Sequence, residues 1–318
     1  MLLVVAPFTP HNVPTMRRVW LAPLGLVLGA VGALLWVGWR WVTPYPAKGG
    51  GPAESAGVDV KEVSFLSLDR TRLHGLWLPG RKGYPTVVLC HGYFKSVAEP
   101  FDVGVALNEA GYNVFLFDFR ACGRSGGRFT TVGYKETWDV QAAVRFVSER
   151  YGRGPVGVLG ISMGAAAAII AAAQMEEIAA VVADSAYAHL EGVMRKKIPD
   201  FAPVRWVAPV GWISVLIGEA MAGGRLRRVR PVEYVGRISP RPLLFVCGER
   251  DSYIPAEQPG ELFEAAGEPK EMWIAPGSDH AVARLDHPKE YMRRVMEFFN
   301  RYLLVEMKAR RRKRARTA

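Results

Sequence analysis

A serine between two glycines is the part of this sequence best suited to covalent chemistry. The run Gly160-Ile161-Ser162-Met163-Gly164 follows the apolar letters VGVL and precedes an alanine-rich stretch. This context predicts a strand, a sharp turn and a helix, with the serine on the turn. Such a turn exposes the hydroxyl and needs small flanking residues, a requirement that Gly160 and Gly164 meet. We therefore expect Ser162 to be a nucleophile.

An acid and then a histidine follow later apolar runs. The chain order serine, acid, histidine is the one expected if they act with Ser162. Asp251 and His280 each stand a few residues after such a run. In a Ser-His-Asp triad the imidazole takes the serine proton and the carboxylate fixes the imidazole tautomer. Asp184 is the competing acid, because it directly follows the run AAVVA. The sequence favours Asp251 and keeps Asp184 as the alternative.

The segment His91-Gly92-Tyr93 ends another apolar run, TVVLC. A tetrahedral intermediate needs two backbone N–H groups directed at its negative charge, and losing one costs about 3 kcal/mol. We predict that Tyr93 and Met163 supply these groups, because Met163 begins a helix whose positive end faces the serine. The imidazole of His91 is predicted to hold the loop, supported by Gly92, and not to react.

The elements that must position these residues alternate along the chain. From Thr86 onward, short apolar runs alternate with helical stretches, which predicts an α/β fold with a mostly parallel, eight-stranded sheet and helices on both faces. The predicted elements include a helix near 98–110, a strand at 180–183 and a last helix over 288–304. Before it, the runs 60–68 and 73–78 are separated by Asp69-Arg70 and predict an antiparallel hairpin. The residues singled out above fall at the carboxyl ends of strands, where such sheets bind ligands.

These motifs together resemble the α/β-hydrolase superfamily, particularly bacterial membrane-anchored or exported hydrolases related to prolyl-oligopeptidase-like (S9-type) peptidases. The match runs from Val60 to Leu304. It includes further family-like positions: Phe117-Asp118-Phe119-Arg120, Gly123-Arg124-Ser125-Gly126-Gly127, Gly133, Glu136 and Asp139. The resemblance implies that Ser162, Asp251 and His280 are catalytic and that the reaction transfers an acyl group to water. Cys122 departs from the family pattern.

An uncharged apolar stretch precedes this domain. Val19 to Trp39 contains 21 residues without a charge, and a helix of that length spans about 30 Å, the thickness of the hydrocarbon core. A transmembrane helix is favoured over a cleavable signal peptide, because no clear A-x-A site follows. Arg17 and Arg18 outweigh Arg40 and Lys48 slightly once the α-amine is counted. The positive-inside rule then places the enzyme outside the cytoplasm.

The expected organisation has six parts. They are an N-terminal segment (1–18), a transmembrane anchor (19–42), a linker (43–59), the hydrolase domain (60–304) with its cap insert (185–240), and a basic tail (305–318). The cap is rich in large apolar residues: Trp206, Trp212, Ile213, Leu216 and Ile217. Two interpretations of them are open. They line an acyl pocket or dip into the bilayer surface, or they form the core of a small helical cap.

Charge and cysteine content exclude several other functions. The formal net charge is +11, but the last eleven residues contain seven Lys or Arg and no acid, so the rest of the chain carries only about +4. The tail is either a solvated chain end or a segment that contacts an anionic surface, and no specific nucleic-acid binding is expected. Three cysteines cannot all pair, so no disulfide framework is predicted. No zinc spacing, P-loop or dinucleotide fingerprint is present, and no metal or cofactor is predicted.

We therefore expect a membrane-anchored serine hydrolase that cleaves an acyl ester, in the manner of a carboxylesterase or lipase. Its substrate would be a small-molecule or lipophilic acyl compound. Two alternatives stay open. The same triad suits a peptidase or an acyltransferase, and the chain could instead be a catalytically silent binding module tethered to a membrane.

Overall fold

A twisted sheet forms the centre of the protein. The computed structural model describes residues 16–44, 57–152, 154–201 and 208–309. The strands are β1 (Lys61–Leu66), β2 (Arg72–Leu78), β3 (Thr86–Cys90), β4 (Asn113–Phe117), β5 (Val156–Ile161), β6 (Ile178–Asp184), β7 (Leu243–Gly248) and β8 (Lys270–Ala275). They form one eight-stranded sheet in the order β1-β2-β4-β3-β5-β6-β7-β8. β1 and β2 form the expected antiparallel hairpin, β2 is antiparallel to β4, and the other neighbouring pairs are parallel.

Helices connect the strands. They are α1 (Met16–Val42), α2 (Phe101–Glu109), α3 (Glu136–Tyr151), α4 (Met163–Ala172), α5 (Leu190–Phe201), α6 (Ala208–Ala222), α7 (Gln258–Ala265), α8 (Ala283–Asp286) and α9 (Pro288–Phe299). Three short 3₁₀ turns lie at Leu226–Arg228, Pro231–Glu233 and Val235–Ile238, and a π-helical segment, Asn300–Leu304, follows α9. The predicted cap insert between β6 and β7 therefore contains α5, α6 and the 3₁₀ turns.

Two cores pack on opposite faces of the sheet. Along β3, Val88 and Cys90 belong to one core, while Val87 and Leu89 belong to the other. The first core takes side chains from α3 and α4, and the second takes them from α2 and α9. Successive side chains of a strand point to opposite faces, so a strand covered on both sides must be apolar throughout. This explains the unbroken apolar runs and confirms the predicted helices on both faces.

Some element bounds differ from those that the sequence predicts. The helix expected over 98–110 begins only at Phe101, because Pro100 lies at its N-cap and the preceding residues form a turn in which Glu99 N–H bonds Ser96 O at 3.0 Å. The last helix, expected over 288–304, changes to π-helical geometry at Asn300. Neither difference moves a residue of the candidate site.

The N-terminal helix packs against the cap insert. Within the described residues, Pro23–Val42 is the one helical stretch long and apolar enough to cross a membrane, by length and composition. At its C-terminal end Gly38 lies so close to α6 that an added Cβ would stand 2.6 Å from Ile217 Cγ2. The indole of Trp41 donates to Ser214 Oγ at 3.3 Å. This contact is not predicted from the sequence, because the apolar stretch indicates only a membrane anchor separate from the hydrolase domain.

Several expectations concern residues outside the described ranges. They include residues 1–15 of the N-terminal segment, linker residues 45–56 with Lys48, Trp206 in the cap and residues 310–318 of the basic tail. The domain bounds, the role of the tail and its anionic contact therefore stay predictions.

Candidate active site

Ser162 stands on a strained turn between β5 and α4. Its backbone has φ 52° and ψ −113°, a conformation that costs a non-glycine residue about 1–3 kcal/mol. The flanking glycines are required sterically. A Cβ at Gly160 would lie 2.4 Å from Gly164 O, and a Cβ at Gly164 would lie 2.4 Å from Cys90 O. The strand, turn and helix expected around Ser162 are thus present.

The structure brings Ser162, His280 and Asp251 together from three strand ends. Ser162 Oγ lies 2.9 Å from His280 Nε2, and His280 Nδ1 lies 2.8 Å from Asp251 Oδ2. A carboxylate can only accept, so Nδ1 carries the hydrogen and Nε2 is left to accept the serine proton. This is the tautomer that a general base for Ser162 requires.

The loop after β7 holds the carboxylate of Asp251 from its other side. Oδ1 accepts the backbone N–H groups of Tyr253 at 2.8 Å and Ile254 at 2.7 Å. Because Oδ2 accepts from His280, both oxygens of the carboxylate are held by hydrogen bonds. The carboxylate therefore sets the orientation of the imidazole without being free to rotate.

Asp184, the alternative acid, lies elsewhere in the hydrogen-bond network. It is fully buried and accepts from Ser185 Oγ at 2.9 Å and Tyr291 Oη at 3.1 Å. Burial raises the pKa of its carboxyl to about 6, an effect that these two hydrogen bonds oppose. The structure therefore places Asp251, not Asp184, in hydrogen-bonding contact with His280.

His91 holds the loop after β3. Its ring is fully buried, Nε2 accepts the N–H of Phe119 at 2.9 Å, and Nδ1 donates to Gly92 O at 2.7 Å. Burial lowers the pKa of the imidazole, which favours the neutral ring that these bonds require. The N–H of Gly92 donates to Glu99 Oε2 at 2.5 Å. Both residues thus occupy structural positions in the loop that presents Tyr93.

A cavity of about 30 Å³ adjoins Ser162. Tyr93 and Met163, the two residues expected to stabilise an oxyanion, both line it. Met163 is the first residue of α4, so its amide has no carbonyl partner within the helix. Other walls are apolar side chains of the cap and neighbouring loops: Val132, Tyr187, Leu190, Val193, Met194 and Ile254. The space beside the nucleophile suits an apolar group.

Three residues of this site are not found by reading the sequence. Tyr253 stacks on His280, with ring centroids 5.0 Å apart and planes inclined by 22°. Lys197 Nζ lies 4.6 Å from the centroid of the Tyr253 ring, and both side chains line the cavity. Trp41, from the end of α1, lines it as well. Each of these contacts joins distant segments, and no local motif signals them.

The other family-like positions build the scaffold around the loops. Asp118 accepts from His74 Nδ1 at 2.9 Å and from the N–H groups of Val97 and Arg124. The carboxylate of Glu136 accepts four hydrogen bonds from the segment 130–133, which also contributes to the cavity wall. These acids are fully used in holding loops. Neither is a candidate for the acid that orients His280, the role predicted for Asp251.

The three cysteines are buried and unpaired. Burial raises the pKa of the thiols of Cys90 and Cys122 far above the usual range and that of Cys247 to about 12. They therefore stay protonated at neutral pH and are poor nucleophiles. In the part of the chain that the structure describes, no group of three or more His, Cys, Asp or Glu side chains could hold a metal ion.

Comparison with known proteins identifies the family. A model of the alpha/beta hydrolase fold matches residues 85–204. The solved structure of the esterase Pf2001 from Pyrococcus furiosus is 30% identical with a TM-score of 0.68, and the match covers 82% of this chain and 100% of that one. The chain therefore belongs to the α/β-hydrolase family, as its motifs indicate.

Bacterial relatives resemble this chain over most of its length. The uncharacterized protein YqkD of Bacillus subtilis is 28% identical over 219 residues, which cover 68% of this chain and 71% of the relative. The uncharacterized protein YfhR of Escherichia coli K12 is 28% identical over 248 residues, covering 75% of this chain and 80% of the relative. The family and the esterase neighbour support hydrolase activity. The names of these relatives do not indicate a substrate.

Proposed function

We propose that this protein is a serine esterase that hydrolyses a carboxylic ester through an acyl-Ser162 intermediate. The observation that carries the proposal is the pair of hydrogen bonds made by His280, 2.9 Å to Ser162 Oγ and 2.8 Å to Asp251 Oδ2. No acid other than Asp251 is needed to set the tautomer.

The proposed reaction has two balanced halves. Ser162 Oγ attacks the ester carbonyl carbon while His280 Nε2 takes the hydroxyl proton, and the N–H groups of Tyr93 and Met163 donate hydrogen bonds to the oxyanion. Collapse of this intermediate breaks the bond to the alcohol oxygen, which leaves with the proton from Nε2. A water molecule then attacks the acyl-serine, and His280 again takes and returns a proton. Acid and Ser162 are released.

The walls of the cavity favour an ester over a peptide. They are mostly apolar, with Lys197 as the charged lining residue. A peptide substrate brings backbone N–H and C=O groups that would need partners in such a wall. The esterase Pf2001, 30% identical, supports the same choice by similarity.

We also propose that α1 anchors the enzyme in a membrane, with the hydrolase domain outside the cytoplasm. The length and hydropathy of Pro23–Val42 support the anchor. The packing of its last turns on α6 also supports an uncleaved helix, because cleavage would remove a wall of the cavity lined by Trp41.

A fluorophosphonate probe tests the nucleophile. The full-length protein should be labelled, and Ser162→Ala should not. Ser252→Ala is the matched control, because Ser252 is exposed and lies one residue from Asp251, and its hydroxyl donates to Asp279 Oδ2, away from the imidazole. It should be labelled like the native protein. Labelling of Ser162→Ala at the native level would remove the assignment of the nucleophile. No labelling of the native protein would favour a silent binding module.

A substrate panel tests the bond type. Ester, thioester and peptide-amide substrates with the same acyl group should be compared in kcat/KM for the native protein and Ser162→Ala. We expect the ester to be preferred. A preference for the amide would support the peptidase alternative, and transfer to an added alcohol in place of water would support the acyltransferase alternative.

A further inference from the structure

The end of α1 forms one wall of a second cleft beside the active site. This cleft, which we call the anchor cleft, has a volume of about 210 Å³ and lies between α1 and the loops after β3 and β7. Its lining is mostly aromatic and apolar: Trp36, Val37, Arg40, Trp41, Tyr93, Phe94 and Tyr253. Trp41, Tyr93 and Tyr253 also line the cavity at Ser162. The two spaces therefore adjoin across these three side chains.

Hydrogen bonds fix α1 to the loop after β3 and to the segment between β4 and α3. Tyr93 Oη donates to Trp41 O at 2.6 Å, and Thr130 N–H donates to Val42 O at 2.8 Å. The last carbonyl groups of a helix have no partner within it, and here the hydrolase domain supplies partners for two of them. Tyr93 is the proposed oxyanion donor, so the anchor contacts a residue of the proposed catalytic machinery directly.

The anchor cleft lies where a membrane crossed by α1 would end. Described side chains from Pro23 to Ala33 are exposed, and the helix first becomes covered at Leu34. From Met16 to Ala33 the helix is about 27 Å long at ~1.5 Å per residue, close to the hydrocarbon thickness of a bilayer. Trp36 and Trp39 then fall at the membrane surface, where tryptophan is enriched. The α1 residues that line the cleft thus lie at the level of the lipid interface.

We propose that the anchor cleft guides the acyl chain of a membrane-resident fatty-acyl ester to Ser162. This inference rests on the serine esterase and membrane anchor proposed above and names their substrate class. If a long alkyl chain must leave the bilayer and cross water to reach the enzyme, each methylene exposed to water weakens substrate binding about fourfold. A chain that slides along Trp36, Val37 and Trp41 avoids that penalty. The anchor is then part of the substrate site.

Filling the cleft is the direct test. Full-length protein is reconstituted in phosphatidylcholine vesicles, and kcat/KM is measured for p-nitrophenyl palmitate in the same vesicles and for p-nitrophenyl butyrate. In Val37→Trp the ratio of palmitate to butyrate should fall about fifteenfold, as if two methylenes had lost their contacts. Leu28→Trp is the matched control, because Leu28 is 61% exposed on the same helix and far from the cleft. Its ratio should stay native.

A second variant covers the case in which Val37→Trp does not fold. Trp36 is 60% exposed, so Trp36→Gln should be tolerated and should also lower the palmitate-to-butyrate ratio, because it removes apolar wall from the mouth of the cleft. A native ratio in both variants, or the same fall in Leu28→Trp, would overturn the proposal. So would a native enzyme that labels with fluorophosphonate but cleaves only butyrate. Loss of labelling in the native protein would instead overturn the esterase itself.

Discussion

The ring of Tyr253 stacks on the imidazole of His280, and its backbone N–H donates to Asp251 Oδ1 at 2.8 Å. One residue thus touches both partners of the proposed triad. Tyr253→Ala keeps the backbone donor but removes the ring, so the imidazole gains rotational freedom. We expect kcat for a soluble ester to fall about tenfold, since misplacement of a catalytic group by ~1 Å costs up to 10²-fold. Tyr253→Phe should restore most of kcat, and equal losses in both variants would show that stacking is not the cause.

The two candidate acids can be separated by a pair of equivalent substitutions. Asp251→Asn should lower kcat by about 10⁴-fold, because the amide favours the wrong tautomer of His280. Asp184→Asn should lower kcat by less than about tenfold, since its side chain bonds Ser185 and Tyr291 and does not touch the imidazole. Circular dichroism of both variants controls for folding. The reverse pattern of kcat would make Asp184 the catalytic acid.

Burial of Asp184 has a consequence for stability at mildly acidic pH. Its pKa rises from 3.8 to about 6 on folding, so the folded state binds the proton more tightly than the unfolded state. The contribution of Asp184 to the unfolding free energy therefore decreases by ~3 kcal/mol as pH rises from about 4 to about 6, and is level above that. Asp184→Asn lacks this contribution.

The measurement is the stability of the native protein relative to Asp184→Asn by denaturant unfolding in detergent, at several pH values between 4 and 7. The advantage of the native protein should shrink as pH rises through this window. The pKa of Asp139 is also raised to about 6 by burial, but Asp139 is present in both proteins and cancels in the difference. A difference that grows with pH would contradict the assigned direction.

The turn at Ser162 should not tolerate a methyl group on its glycines. In Gly164→Ala the new Cβ would lie 2.4 Å from Cys90 O and 2.5 Å from His91 O, and backbone cannot yield locally. We expect a loss of stability of about 3 kcal/mol together with loss of fluorophosphonate labelling. Gly260→Ala is the matched control. An added Cβ there meets nothing within 4 Å inside α7, so stability should rise by up to ~1 kcal/mol.

Local pattern was sufficient to predict the sheet and the strand ends that carry Ser162, Asp251 and His280. Buried parallel strands must be apolar on both faces, and the turns that follow them contain the polar residues. The same logic places β6, although the strand extends from Ile178 to Asp184 and not only over Ala180–Ala183. The hydrogen bonds of His280 then depend on three loops meeting at one sheet edge, which parallel strands ensure.

Contacts between distant segments could not be predicted in this way. Trp41 and Ser214 are 173 residues apart, and nothing in the apolar pattern of α1 distinguishes a side that faces lipid from one that packs on α6. Tyr253 likewise reads as an ordinary loop residue. Its stacking on His280 depends on two loop conformations at once. Tertiary packing determines which distant residues come into contact, and the local sequence pattern does not predict it.

Because the three native cysteines are buried, the protein is suited to labelling at single introduced cysteines. Since none of its three thiols is exposed or readily ionised, a single introduced cysteine would be the sole thiol available to a maleimide dye. At Lys82, an exposed position, Lys82→Cys should react with a membrane-impermeant maleimide in intact cells if the hydrolase domain faces outward, and only after lysis if it faces the cytoplasm. The same scan, moved along α1, would map the depth of each helical turn in the bilayer.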